Sequence, residues 1–155
     1  MATLVCSQLK DHVVNYINVE GILIPDPTRS SSKAYEFSSA DKFKEFIVEA
    51  MLSISQYKDD ILYYYAKSLE SSNADSLWLW AKDILTLTAN NFIVEQFSSL
   101  NCKKLYVYGK ESFLKKDIDC AKKISDCLSI ENATHWPMLE NKKSFYSVIC
   151  NYLIY

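Results

Sequence analysis

The chain has 155 residues, 49% of them apolar and 14% aromatic, and its 17 Lys and Arg against 19 Asp and Glu leave a net charge of −2. That length suits one domain with a packed core, and that charge excludes a protein whose first task is neutralising phosphates. Ordinary glycine usage of about 7% would supply roughly eleven. The chain has 2, Gly21 and Gly109, which excludes a dinucleotide fingerprint, a phosphate loop and a G-x-S-x-G nucleophile elbow within it.

In chain order, Leu4, Val5 and Leu9 suit a short helix over residues 1–10. Residues 13–19, rich in β-branched and aromatic side chains and ending at Gly21, predict a strand apolar on both faces, as in a covered parallel sheet. Pro25, Pro27 and Ser30-Ser31-Ser32 predict a loop. Ser38-Ser39-Ala40-Asp41 then opens a helix in the manner of a capping box, with Phe43, Phe46, Ile47, Ala50 and Met51 at helical spacing. Residues 59–69 and 74–87 predict two more helices, the second carrying Leu77, Trp80, Ala81, Ile84 and Leu85 on one stripe. Residues 104–108 predict a second strand, closed by Gly109. Both glycines thus stand where the backbone turns from a strand into a loop. Ile118, Ala121, Ile124 and Leu128 mark an amphipathic helix, and residues 127–130 a short third strand. Phe145, Val148, Ile149, Tyr152 and Leu153 mark a C-terminal helix. Strand and helix alternating at both ends, around an all-helical insert, argue α/β with a small parallel sheet of about three strands.

The five cysteines, Cys6, Cys102, Cys120, Cys127 and Cys150, form no C-x-x-C, and two histidines complete no zinc-ligand grouping. Buried, reduced thiols and no metal are expected. The apolar patch at residues 2–6 lacks the basic flank of a signal peptide. No stretch approaches the ~20 apolar residues of a membrane span. The chain therefore reads as soluble and cytoplasmic, with neither membrane nor nucleic acid as partner.

Chemistry concentrates in Ser129-Ile130-Glu131-Asn132-Ala133-Thr134-His135-Trp136-Pro137-Met138-Leu139-Glu140-Asn141, ahead of the Phe145 helix. A histidine in a loop after a short strand and before an amphipathic terminal helix resembles the catalytic-histidine loop of α/β-hydrolases. Residues 104–109 are similar to that family's penultimate strand, residues 13–21 to the strand after its nucleophile helix, and residues 22–100 to its helical cap. The resemblance covers the whole chain but only the second half of the family's fold. Residues 1–21 and 101–155 would form a partial core and 22–100 a cap or lid insertion.

The resemblance implies that His135 is the general base, taking the nucleophile's proton and passing it to the leaving group. Many relatives carry Asp three residues after the glycine of the penultimate strand, where this chain has Ser112, with Glu111 one place earlier. Other branches place the acid at the end of the strand after the nucleophile helix. Glu20, in Val19-Glu20-Gly21, fits that pattern and is the preferred acid, with Glu111 as the alternative. The elbow serine would lie immediately upstream of Met1, and Met1 would hold the place whose N–H helps build the oxyanion hole. Ser7, mid-helix without flanking glycines, is no substitute.

The family implied is cofactor-free and acts on esters or similar small apolar substrates. The chain is thus expected to be a truncated fragment, inactive alone. The alternative is a non-catalytic module that binds a small apolar ligand or a partner protein. Loss of the elbow strand would leave an open sheet edge and favour self-association. Tyr63, Tyr64, Tyr65, Trp78 and Trp80 would line an apolar pocket or pack between helices, and Trp136 would wall the site.

Overall fold

The computed structural model describes residues 2–9, 12–27, 29–55 and 61–154. In chain order the elements are α1 (Ala2–Leu9), β1 (Asn15–Val19), a 3₁₀ helix (Ser30–Glu36), α2 (Ala40–Ile54), α3 (Ile61–Glu70) and α4 (Ala74–Ala89). Then follow α5 (Phe92–Ser99), β2 (Lys103–Gly109), α6 (Lys115–Ala121), β3 (Asp126–Ile130), α7 (Pro137–Glu140) and α8 (Lys142–Ile154). They divide into two compact units, Met1–Ile24 with Asn91–Tyr155, and Pro25–Asn90.

The first unit is built on a parallel sheet in the order β1–β2–β3. Ile17 lies opposite Leu105, Val19 opposite Val107, Val107 opposite Leu128 and Gly109 opposite Ile130. Alternation sends every second side chain to one face. Leu105, Val107 and Ile130, with Ile17 and Val19, pack there against Ala133, Phe145, Met138, Val148, Ile149 and Tyr152. Each fully buried aliphatic or Phe side chain contributes about 1.5–3 kcal/mol. Tyr106, between these in β2, is fully buried. Tyr16 sets its ring edge-on to Phe97 of α5, centroids 5.6 Å apart, and shares a 2.9 Å hydroxyl hydrogen bond with Thr3 of α1. The architecture is therefore α/β with three parallel strands, as the sequence predicts.

The second unit is helical among its described residues. Ala34, Phe43, Ile47, Val48, Leu69 and Ala81 form its core. Ser39 caps α2 by accepting the Lys42 N–H at 3.4 Å, and Asn73 caps α4 by accepting the Ser76 N–H at 2.8 Å.

Several local expectations are corrected. Val14 is not in β1 and is 75% exposed. Residues 30–36 wind into a 3₁₀ helix where a loop was expected, and α5 was not anticipated. Helix α6 stops at Ala121, because Lys123 and Ile124 close turns on Cys120 and Ala121. Leu128 instead takes its place in β3 opposite Val107. Strand pairing wins there over a spacing that also fits a helix. Of the helix expected over 59–69, its first two residues lie outside the described residues. Neither glycine has a positive φ. No helix among the described residues is long and apolar enough to cross a membrane.

Candidate active site

Glu20 follows β1 directly. Its N–H donates to the Val107 carbonyl at 3.0 Å, so pairing with β2 continues one residue past the strand. Its φ of 51° then puts the backbone in the left-handed region, which costs a residue with a Cβ about 1–2 kcal/mol. Asn18 and Tyr106 hold the next residue, because Asn18 Oδ1 accepts the Gly21 N–H at 2.9 Å and the Tyr106 hydroxyl donates to the Gly21 carbonyl at 3.0 Å. Fully buried Asp117, on α6, fixes the exit of this segment by accepting the N–H groups of Leu23 at 2.6 Å and Ile24 at 3.1 Å.

The Glu20 side chain is 2% exposed. A buried carboxylate needs donors, and it has them. Oε1 accepts the Gly109 N–H at 2.7 Å and Oε2 accepts the Ser112 hydroxyl at 2.8 Å. Oε2 also lies 3.3 Å from Nδ1 of His135. Ser112, itself fully buried, accepts the Leu114 N–H at 3.1 Å and is thereby fixed in place.

His135 arrives from the other side of β2, on the loop after β3. Asn132 turns that loop at φ 50°. The loop is tied to the end of β2 by the Lys110 N–H on the Ile130 carbonyl at 2.9 Å and the Glu111 N–H on the Ala133 carbonyl at 3.0 Å. Gly109 permits this contact, since a Cβ there would lie 2.0 Å from the Thr134 carbonyl oxygen and 2.3 Å from that of Ala133. Close approach, rather than a turn conformation, requires the glycine. Glu140 of α7 accepts the N–H of Thr134 at 2.6 Å, the N–H of Trp136 at 3.3 Å and the Thr134 hydroxyl. The imidazole lies beside two aromatic rings, Phe113 at 5.3 Å and Trp136 edge-on at 4.9 Å. Its side chain is 29% exposed.

An ionised carboxylate only accepts hydrogen bonds. A neutral ring that donates from Nδ1 to such a group has its lone pair at Nε2. No hydrogen bond to Nε2 is made among the described residues. The pair sits at the C-terminal ends of parallel strands, where α/β sites form. Such a group can accept a proton at Nε2 while the carboxylate stabilises the resulting cation.

The structure thus brings Glu20 and His135 together. Glu111 is exposed, and its side chain is not the hydrogen-bond partner of His135. Met1 lies outside the described residues. Ser7 donates to the Leu4 carbonyl at 2.8 Å within α1, and His12 is exposed. The cysteines are free thiols, partly exposed rather than buried, with Cys150 fully at the surface. Burial pushes the thiols of Cys102, Cys120 and Cys127 up, which makes them poor nucleophiles at neutral pH. No group of three or more His, Cys, Asp or Glu among the described residues is placed to hold a metal ion. In the second unit the aromatic residues divide. Trp78 packs on the core and donates to the Ala34 carbonyl at 2.6 Å, whereas Tyr64 and Trp80 are exposed.

Sequence reasoning noted Ser112 only as the place of a missing acid, and it passed over Phe113 and Glu140. A carboxylate at the first turn of a short helix that starts on Pro137 was the available signal, since such residues reach back to free N–H groups.

No family model matches the sequence, and no curated protein matches it. Solved structures do. The chain is similar to an E-2-(acetamidomethylene)succinate hydrolase, with 13% identity and a TM-score of 0.55, over 99% of this chain and 62% of that one. It is also similar to a structure from a study of carboxylesterases of the ammonia-oxidizing thaumarchaeon Nitrososphaera gargenis, with 12% identity and a TM-score of 0.58, over 99% of this chain and 60% of that one. The chain therefore has a partial α/β-hydrolase fold and spans about 60% of the length of these structures.

Proposed function

We propose that this chain is a fragment of an α/β-hydrolase that carries the general base, His135, and its acid, Glu20. The parent reaction is hydrolysis of esters or similar small apolar substrates. His135 takes the proton of a nucleophile at Nε2 and returns it to the leaving group, and Glu20 fixes the ring and stabilises its cation. Phe113 and Trp136, both beside the imidazole, suit an apolar substrate. On this reading the fragment alone does not turn over, in keeping with the lack of any hydroxyl or thiol hydrogen-bonded to Nε2 among the described residues.

The 3.3 Å approach of Glu20 Oε2 to His135 Nδ1 carries this reading, and Glu20→Gln tests it. The Gly109 N–H demands an acceptor at the Oε1 place. The Gln carbonyl must sit there, which leaves its NH₂ facing His135. A donor at Nδ1 forces the neutral ring into the Nε2–H form, the wrong tautomer for a base. Ring ¹⁵N NMR at a pH where the imidazole is neutral should show Nδ1–H in the wild type and Nε2–H in the variant. The same tautomer in both would overturn the reading.

A further inference from the structure

On the reading of Glu20 and His135 as an acid–base pair, we infer that Glu140 is a positioning residue for His135. Its carboxylate takes three donors from the two residues that flank the histidine: the N–H and hydroxyl of Thr134 on one side and the N–H of Trp136 on the other. No hydrogen bond joins His135 itself to Glu140 among the described residues. The backbone on both sides of it is nevertheless clamped to one half-buried group at the first turn of α7.

The clamp has a geometric purpose. Chain position alone does not bring His135 to Glu20, because the ring nitrogen and the carboxylate lie 115 residues apart in sequence and meet at 3.3 Å. The loop between Ile130 and Pro137 rests on Gly109 from below, where a missing Cβ leaves room for the Ala133 and Thr134 carbonyls. That contact fixes the distance of the loop from β2 but not its twist. Glu140 fixes the twist. With the Thr134 N–H and hydroxyl and the Trp136 N–H all hydrogen-bonded to one carboxylate, the chain entering His135 and the chain leaving it cannot turn independently, and the imidazole is held with Nδ1 toward Oε2. Hydrogen bonds to a charged acceptor are the stronger kind, so three of them converging on one carboxylate make a stiff anchor for a short loop.

The test is Glu140→Ala against Glu140→Gln, read by ring ¹⁵N NMR, amide hydrogen exchange and thermal melting. Gln keeps one carbonyl oxygen for the two N–H groups, and its NH₂ can donate to the Thr134 hydroxyl oxygen. In Glu140→Ala the His135 nitrogens should converge toward a mixture of tautomers, while the Thr134 and Trp136 amides exchange about tenfold faster or more. In Glu140→Gln the single tautomer should survive. A merely structural role would lower the melting temperature and leave the ring in one tautomer, and that result would overturn the inference. Should the Ala variant fail to fold, the Gln variant decides. Its lost charge should still speed exchange at both amides, and wild-type rates there would overturn the inference. Glu20→Gln separates the two proposals. A ring that stays Nδ1–H in that variant defeats the acid–base pair, whereas accelerated amide exchange in Glu140→Ala would still show the clamp.

Discussion

Glu20 combines a left-handed backbone with a buried carboxylate that satisfies Gly109, Ser112 and His135 together. Strain of that kind persists where surrounding bonds over-determine it, and here they come from two other segments of the chain. Ser112 is the least obvious of these partners. It acts as a donor that fixes the oxygen facing the histidine. Ser112→Ala removes a buried hydrogen bond to a charged group and leaves the Leu114 N–H without its acceptor. It should destabilise the protein by about 1.5–3 kcal/mol, seen as a lower denaturant midpoint. A loss within about 0.5 kcal/mol, as for an ordinary surface site, would mean that Ser112 does not secure Glu20. Glu20 and His135 were legible through the resemblance to α/β-hydrolases, which implies an acid at the end of a strand and a base on the loop after a later one. Ser112 and Glu140 were not, since their partners are a carboxylate 92 residues away and backbone N–H groups that carry no sequence signal.

Among the elements, β2 does the most positioning. It lies between β1 and β3, so Glu20 and the His135 loop are both hydrogen-bonded to its C-terminal end. Gly109 is the point of closest approach. In Gly109→Ala the new Cβ would meet the carbonyl oxygens of Thr134 and Ala133, both backbone and unable to swing aside. Overpacking of this sort costs about 1–3 kcal/mol. The variant should melt lower and show displaced His135 ring resonances. Wild-type stability with an unmoved ring would show that the loop does not rest on β2 as described. The first two strands were readable from β-branched and aromatic runs, and the third only as a short stretch ahead of the histidine loop. Helix α5 was not, because eight residues are too few to be helical by propensity. Its buried Ile93 and Phe97, the latter against Tyr16, hold it instead. The end of α6 was misread for the opposite reason. Ile118, Ala121, Ile124 and Leu128 fit a helical stripe, but Leu128 gains more by pairing in register with Val107.

At the scale of the whole molecule, the order of elements was readable: strand, helical insert, strand, helix, strand, histidine loop, helix. The boundary of the helical unit was not, since α5 follows the insert without a glycine or proline to mark the change, and belongs with α1 and the sheet. The proposed base and acid on a partial α/β-hydrolase fold make a specific claim about activity. The pair can orient and accept a proton, but covalent catalysis also needs a hydroxyl or thiol at Nε2. The most direct measurement is hydrolysis of an activated aryl ester by the purified chain. Product should form linearly from the first time point, no faster than with free imidazole at equal concentration. A burst of product stoichiometric with the chain, together with a covalent acyl adduct, would contradict the account and place a working nucleophile within it.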